Sequence, residues 1–374
     1  MTQTHHRHAA ALQGSTRVTV AQLGEFDEII DVRSEEEFED DHIPDAVNCP
    51  VLDNAERARI GTIYKQVSAF DAKKIGAALI ARNIAHHIES AFAQRPRNWR
   101  PLIYCWRGGN RSGALAHVLQ QIGWRAGRLD GGYKAYRRAV IEDLLELPQR
   151  FSWRVICGLT GCGKSRLLRA LARRGAQVLD LEALAAHRGS VLGNLPGEPQ
   201  PSQKRFESLV WAELRGFDPA RPVLVEAESR KIGSLRVPEA LIASMWNSEC
   251  VWLDAPVKLR VAMLRQEYQH LAADPAALGT QLDCLAAHHG QKTVDAWKQH
   301  AAAAAWDTLV RELLEHHYDP AYTRSTLKHY PNGAQGVQLA VSADSDAVFD
   351  ELAAHCLTAL ATGMKAGASA NRHR

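Results

Sequence analysis

The stretch Gly158-Leu159-Thr160-Gly161-Cys162-Gly163-Lys164-Ser165 limits the folds open to this chain more than any other. Its glycines let successive backbone amides turn inward. Lys164 and Ser165 follow at the spacing that lets an ammonium reach outer phosphates and a hydroxyl reach Mg2+. Such a loop works when a strand delivers it and a helix starts where it ends, because the free amides of that helix complete the anion cradle. Trp153 to Cys157 reads as the strand and Lys164 to Arg174 as the helix. Gln177 to Asp180, Pro222 to Glu226 and Cys250 to Asp254 read as further strands, with helical stretches between them. That alternation predicts an α/β fold with a parallel sheet. From Val257 the chain reads as nearly all helix. Gln291 to His317 is the longest candidate, on the strength of Ala301 to Ala305. Val337 to Val341 reads as a returning strand.

A second loop of the same character precedes the first. Cys105-Trp106-Arg107-Gly108-Gly109-Asn110-Arg111-Ser112 follows the short strand Leu102 to Tyr104 and opens a helix over Ser112 to Ile122. Gly108 and Gly109 let the backbone curl around the cysteine, and Arg107 and Arg111 bring positive charge. Such a field favours the thiolate and stabilises an anion attached to sulfur. A buried structural cysteine needs neither pair. The rest of this region reads as strands at Ile29 to Val32 and Ala46 to Val51 and helices at Ser34 to Phe38, Lys73 to Phe92 and Tyr133 to Leu147. Ser34 and Glu37 stand as a capping box. The spacing Cys-x5-Arg also serves cysteine phosphatases, which use the same cradle for phosphate. Those enzymes want a general-acid aspartate and often a histidine before the cysteine, where this chain has Tyr104.

Composition narrows the setting. No apolar run approaches the ~18 residues of a membrane span, and the polar, His-rich start Met1 to Gln13 lacks the apolar stretch of a signal peptide. A cytoplasmic protein without a membrane partner is the expectation. The seven cysteines stand singly, without metal-site spacing, so no metal ligand set is predicted beyond Ser165 toward Mg2+. A net charge of +3 does not by itself point to nucleic acid. Basic residues do cluster at Arg166, Arg169, Arg173 and Arg174, and again at Lys231 and Arg236, and these are candidates for a nucleic-acid backbone.

The ligand of the phosphate loop is less constrained. A nucleotide hydrolase wants an apolar strand ending in aspartate, and the chain offers Glu226 or Asp254. Glu226, Glu228, Ser229 and Arg230 fall at a strand's carboxyl end, where ligands of parallel sheets bind. His187-Arg188-Gly189-Ser190 and Gln200 to Gln203 are polar loops that such a hydrolase does not require. They are ligand-binding candidates or ordinary surface.

Asp31-Val32-Arg33, then His42-Ile43-Pro44-Asp45-Ala46-Val47-Asn48, then the Cys105 loop resemble a rhodanese domain over Thr16 to Leu147, with Asp45 where glycine is usual. The whole order resembles the tRNA 2-selenouridine synthase family over Thr16 to Tyr322. Gly131 to Arg137, Gly158 to Lys164, Leu184 to Ser190 and Glu228 to Gly233 are similar too. Asn110 stands where methionine is expected and Ala227 where serine is. Together with the linker read at Pro148 to Ser152, the resemblance gives a rhodanese-like domain at 16–147, a phosphate-loop domain at 148–256 and a mainly helical region at 257–362 completing the second domain. The Gly, Ala, Ser and Arg composition of the end predicts a disordered tail at 363–374. The resemblance also implies an activity. The family transfers a geranyl group from geranyl diphosphate to wobble 2-thiouridine of tRNA, then replaces the S-geranyl group with selenium from selenophosphate. Neither co-substrate is a tightly bound cofactor. Cys105 would carry selenium as a perselenide, stabilised by Arg107 and Arg111. The amides of Gly158, Thr160, Gly161, Cys162 and Gly163, with Lys164 and Ser165, would hold a diphosphate. A tRNA sulfurtransferase without selenium, and a phosphate-loop kinase or NTPase with an accessory rhodanese domain, remain as alternatives.

Overall fold

The computed structural model describes residues 17–330 and 336–362. The His-rich start and the tail from 363 fall outside the described residues. Packing divides the chain into two compact units, Met1–Asp143 and Leu144–Arg374.

In the first unit β1 (Arg17–Val18), β2 (Glu28–Asp31), β3 (Val47–Asn48), β4 (Pro101–Tyr104) and β5 (Gly127–Leu129) form one parallel sheet in the order β1-β5-β4-β2-β3. Every residue of β4 is buried, so this strand reads as a continuous apolar run and delivers Cys105 at its carboxyl end. Ile30, Ile103, Leu115, Leu119, Phe92 and Trp99 share the core on one side of it. Only Val47 and Asn48 of the expected strand 46–51 pair with β2. Beyond them the Cys49 and Val51 N–H groups still donate to the carbonyls of the successive residues Asp31 and Val32, so contact continues while the regular register ends. A helix at Asn54–Gln66 was not foreseen. Its start is marked by a box in which Asp53 accepts from the Glu56 N–H at 2.7 Å. None of its residues is buried, so it has no apolar stripe for a sequence pattern to show.

The motif Asp31-Val32-Arg33 has a structural meaning. Arg33 and Asp31 are a buried ion pair with a 2.6 Å contact. The same guanidinium donates to the Asp41 carbonyl at 2.6 Å and lies 4.1 Å from the Tyr133 ring centroid. The Tyr133 hydroxyl donates to the Asp41 carboxylate at 2.8 Å. Asn48 donates to the carbonyls of Asp31 and Arg33. Asp45 takes φ +64°, the left-handed conformation that its usual glycine adopts freely and that aspartate tolerates better than most residues.

In the second unit β6 (Trp153–Cys157), β7 (Gln177–Leu179), β8 (Val223–Glu226), β11 (Glu249–Asp254) and β12 (Val337–Ala340) form a parallel sheet in the order β12-β11-β6-β8-β7. A short antiparallel hairpin, β9 (Lys231–Ile232) with β10 (Leu235–Arg236), stands apart from it. The chain leaves β6 toward β8 and β7 and later returns on the other side to β11 and β12. This reversal of direction at β6 opens a crevice at the carboxyl ends of the strands. Helices Lys164–Arg173 and Asp346–Thr362 cover one face through Leu167, Leu168, Leu171, Phe349, Ala353 and Cys356.

The single helix expected over 291–317 is instead broken. Gln291–Ala302 and Trp306–Leu313 are separate helices, and Ala304 between them takes φ +52°. In a straight helix Trp297 and Leu313 would stand about 24 Å apart along the axis. The break lets both enter one core with Leu278, Leu282, Leu285 and Leu309. Burial of that cluster outweighs the helix preference of the alanines.

Removing one partner of a buried ion pair strands the other. Asp31→Ala is therefore expected to destabilise the first unit by about 3–5 kcal/mol, read as a lowered urea midpoint. A shift below ~1 kcal/mol would mean that Arg33 finds another anion.

Candidate functional site

Cys105 follows directly on β4 and is 3% exposed. Its sulfur accepts from the Gly109 N–H at 3.3 Å and lies 3.2 Å from the Ser112 hydroxyl. An N–H aimed at sulfur stabilises negative charge there. The loop is clamped from behind. Tyr133 N–H donates to the Cys105 carbonyl at 2.8 Å, and Lys134 N–H to that of Trp106 at 3.0 Å. Trp106 stacks on Tyr133 with ring centroids 5.2 Å apart. Gly132, at φ +58°, permits this approach, because a Cβ there would collide with the Cys105 carbonyl and the Gly108 nitrogen. Arg111 is committed elsewhere. It pairs with Glu37 at 2.8 Å, the same carboxylate that accepts from the Ser34 N–H at 3.3 Å. Burial pushes Glu37 up, but Arg111, Arg57 and the Ser34 N–H together more than offset this, so its carboxyl lies below the usual range. Arg107 is exposed and has no ion-pair partner among the described residues.

The phosphate loop leaves β6 and ends on helix Lys164–Arg173. Gly163 at φ +89° meets Phe349, and Gly161 at φ +79° meets Leu264, each where a side chain would need space. Lys164 Nζ lies 3.4 Å from Glu226 and 5.4 Å from the Tyr322 ring centroid. Ser165 donates to Glu226 at 2.9 Å and lies 3.3 Å from Glu182. Ligand oxygens of Glu182, Glu226 and Glu228 all fall within 4.8 Å of one another. Burial, then the neighbouring Glu226 and Glu228, push Glu182 up to about 10. Burial and Glu226 push Glu228 up as well. Burial disfavours the Lys164 ammonium, but Glu226 holds its pKa above the usual lysine range. Three hard carboxylate donors beside the loop serine suit Mg2+. A cavity of about 780 Å³ lies over this cluster, also lined by His187, Arg188 and Arg169.

Residues 151–283 match the family described as the tRNA 2-selenouridine synthase AAA domain, and residues 16–139 match the rhodanese-like domain. A tRNA 2-selenouridine synthase from Hydrogenovibrio crunogenus is 34% identical over 322 residues, 79% of this chain and 88% of that protein. The chain belongs to the tRNA 2-selenouridine synthase family. A synthase from Nitrosomonas europaea is 35% identical over 251 residues, 64% of this chain and 63% of that protein. A solved N-terminal domain from Clostridium difficile 630 is 35% identical, covering 33% of this chain and 98% of that domain with a TM-score of 0.30.

In this member of the family the other candidates divide. His187 is buried, and its Nδ1 accepts from the Gly189 N–H at 3.1 Å. Burial lowers its pKa, which keeps the ring neutral. Arg188 pairs with Glu267 and stacks 4.9 Å from the Tyr268 ring centroid. Ser229 bonds the Lys231 backbone, and Arg230 pairs with Glu239. Gln200 bridges the carbonyls of Ala185 and Ile232. Those loops hold the crevice's shape. Among the basic residues, Arg166 pairs with Asp344 and Asp346, and Arg173 pairs with Asp350. Arg169, Arg174, Lys231 and Arg236 are exposed, with no ion pair among the described residues. Lys231 and Arg236 face each other across the hairpin.

Sequence reasoning passed over Glu182, Tyr322 and Arg260, and gave Ser112 of the cysteine loop no role of its own. Tyr322 accepts from the Gly158 N–H at 2.8 Å. Arg260 is buried, donates to the Thr160 carbonyl at 2.8 Å and pairs with Asp319. Asp180-Leu181-Glu182 directly after a predicted strand was the one local signal for Glu182.

A carboxyl raised to about 10 when folded, against an ordinary 4.5, binds its proton in the native state where the unfolded chain has lost it. Its contribution is therefore full below about 4.5 and is lost as pH rises toward about 10. Without divalent cations, thermal stability is expected to fall across this window, and Glu182→Gln is expected to flatten the fall. Parallel profiles for the two proteins would contradict it.

Proposed function

We propose that this chain is a selenotransferase with geranyltransferase activity, which geranylates wobble 2-thiouridine of tRNA and replaces the S-geranyl group with selenium from selenophosphate. The observation that carries this reading is that one chain holds two built anion cradles of different chemistry. One has a sulfur nucleophile at its centre, and the other has a lysine and a serine.

In the first step the 2-thio sulfur attacks C1 of the geranyl group, the C–O bond breaks, and diphosphate leaves. Leaving-group charge is what the Gly158–Ser165 amides and Lys164 are placed to hold. Mg2+, if bound by Ser165 and the Glu182, Glu226 and Glu228 carboxylates, would neutralise phosphate charge and relieve the repulsion among the acids. The second step trades C2–S for C2–Se. Geranylthiolate leaves, and selenium enters at the selenide level, so no electrons are exchanged overall. The Cys105 ring is the seat of selenium handling. Forming a perselenide on Cys105 from selenophosphate would need a two-electron oxidant and then a thiol to cleave the Se–S bond. The balanced step keeps selenium at the selenide level beside Cys105, with the selenophosphate selenium attacking C2, geranylthiolate leaving, and water cleaving the P–Se bond to give phosphate. Backbone contacts to tRNA fall to the exposed Arg169, Arg174, Lys231 and Arg236.

Two variants test the assignment by mass spectrometry of tRNA nucleosides. Cys105→Ser is expected to abolish 2-selenouridine while S-geranyl-2-thiouridine still forms, since a serine hydroxyl is ionised far too weakly to replace the thiolate. Selenation at the wild-type rate would overturn the role of Cys105. Lys164→Ala is expected to slow geranylation by about 10²–10³-fold, the usual effect of removing one stabiliser of developing charge. Pre-geranylated tRNA should still be selenated by this variant. Rapid nucleotide turnover without tRNA would instead favour a phosphate-loop NTPase.

A further inference from the structure

The phosphate-loop cavity does not stand alone. A second cavity of about 490 Å³ adjoins it, and Thr160, Ser190, Leu264, Gln266, Tyr268 and Tyr318 line both. Beyond that shared rim the second cavity is walled by Leu192, Leu271, Leu278, Trp306, Leu309 and Leu313. Its wall and the anion cradle abut directly. Gly161 has no side chain, and Leu264 packs where one would stand, 2.7 Å from the position of a Cβ. One end of the combined space is therefore suited to anions, and the other is lined mainly by hydrocarbon, with Arg265 and Gln269 also among its lining.

We infer that this apolar cavity seats the hydrocarbon chain of a prenyl diphosphate whose diphosphate lies on the Gly158–Ser165 loop, and that Leu271, Leu278, Trp306 and Leu309 limit the chain's length. The inference rests on the proposed function for the identity of the loop's ligand. Its volume falls within the ~300–1,000 Å³ usual for small-molecule pockets. An apolar cavity with few polar partners for water is more readily filled by a hydrocarbon than by solvent. The break at Ala304 contributes to the cavity's shape, because it turns Trp306, Leu309 and Leu313 back toward Leu278. Each methylene sheltered from water tightens binding by roughly fourfold. A ten-carbon chain should thus be strongly preferred over a five-carbon one.

The test is calorimetric titration of the full chain with inorganic diphosphate, dimethylallyl diphosphate, geranyl diphosphate and geraniol. Geranyl diphosphate is expected to bind at least about a hundredfold more tightly than dimethylallyl diphosphate. Ala262→Trp projects an indole into the cavity from an exposed position on helix Val257–Glu267. It should erase that preference and leave inorganic diphosphate binding as in wild type, which also shows that the variant is folded. Leu309→Trp should act in the same direction. Trp306→Ala should extend tolerance to the fifteen-carbon diphosphate. If both tryptophan variants keep the full preference while Lys164→Ala weakens every diphosphate, the chain lies elsewhere, and only the present inference falls. If inorganic diphosphate does not bind and Lys164→Ala changes nothing, the proposed role of the loop falls. Geraniol then decides the cavity. Binding that Ala262→Trp abolishes upholds it, and no binding by wild type sinks it.

Discussion

One ammonium stands against three carboxylates at the mouth of the phosphate loop, and the second unit is organised around that imbalance. Lys164 reaches Glu226, Ser165 bonds Glu226 and lies close to Glu182, and Glu228 crowds the same space. The elements that supply them are the loop helix, β8 with the residues just after it, and the short helix Leu181–Leu184 after β7, so the charges meet because parallel strands end together. Such a cluster is uncomfortable when empty. Protonation of Glu182 and Glu228 relieves it in one way, and a cation or a cation with an anion would relieve it in another. A crevice of this kind is prepared for ligand by its own repulsion.

The first unit meets a related problem with a different solution. Its sheet also ends in an anion-accepting loop, but the compensating charges lie beneath the loop. Arg33 is spent on Asp31 and the Asp41 carbonyl, and Arg111 on Glu37. What the loop presents to a ligand is mainly the Gly109 amide, the Ser112 hydroxyl and the sulfur. The exposed Arg107 is the loop cation left to contribute to the field of the ring, while Arg33 and Arg111 fix its shape. Arginine is suited to that task, since its planar fork satisfies several acceptors at once.

Much of this was legible in the sequence, and the division follows the range of the interactions. Cys105, Gly108 and the whole of Gly158 to Ser165 could be read because a loop that cradles an anion is built from neighbours in the chain. The strands around them could be read because buried parallel strands are apolar runs. Glu182 and Tyr322 could not be read, because only tertiary packing brings them in, and Tyr322 lies 164 residues from the amide it caps. The continuous helix over 291–317 failed for a similar reason. Propensity sees the alanines one at a time, whereas Ala304 yields to the joint burial of Trp297, Leu309 and Leu313. Arg166 and Arg173 were visible as charge, but their acidic partners sit on helix Asp346–Thr362 and just before it.

The bond from the Gly158 amide to Tyr322 bears on where this protein can be cut. Residues 151–283 carry the match to the family's AAA domain, and a minimal expression clone would naturally stop there. That truncation would strip Tyr322 from the first glycine of the loop and Asp319 from the buried Arg260, leaving a donor and a guanidinium uncapped in the floor of the crevice. It would also remove β12, one edge of the sheet, and helix Asp346–Thr362, which roofs the loop helix. The phosphate-loop core is therefore not a detachable module in this chain. The described residues after 283 are part of its scaffold.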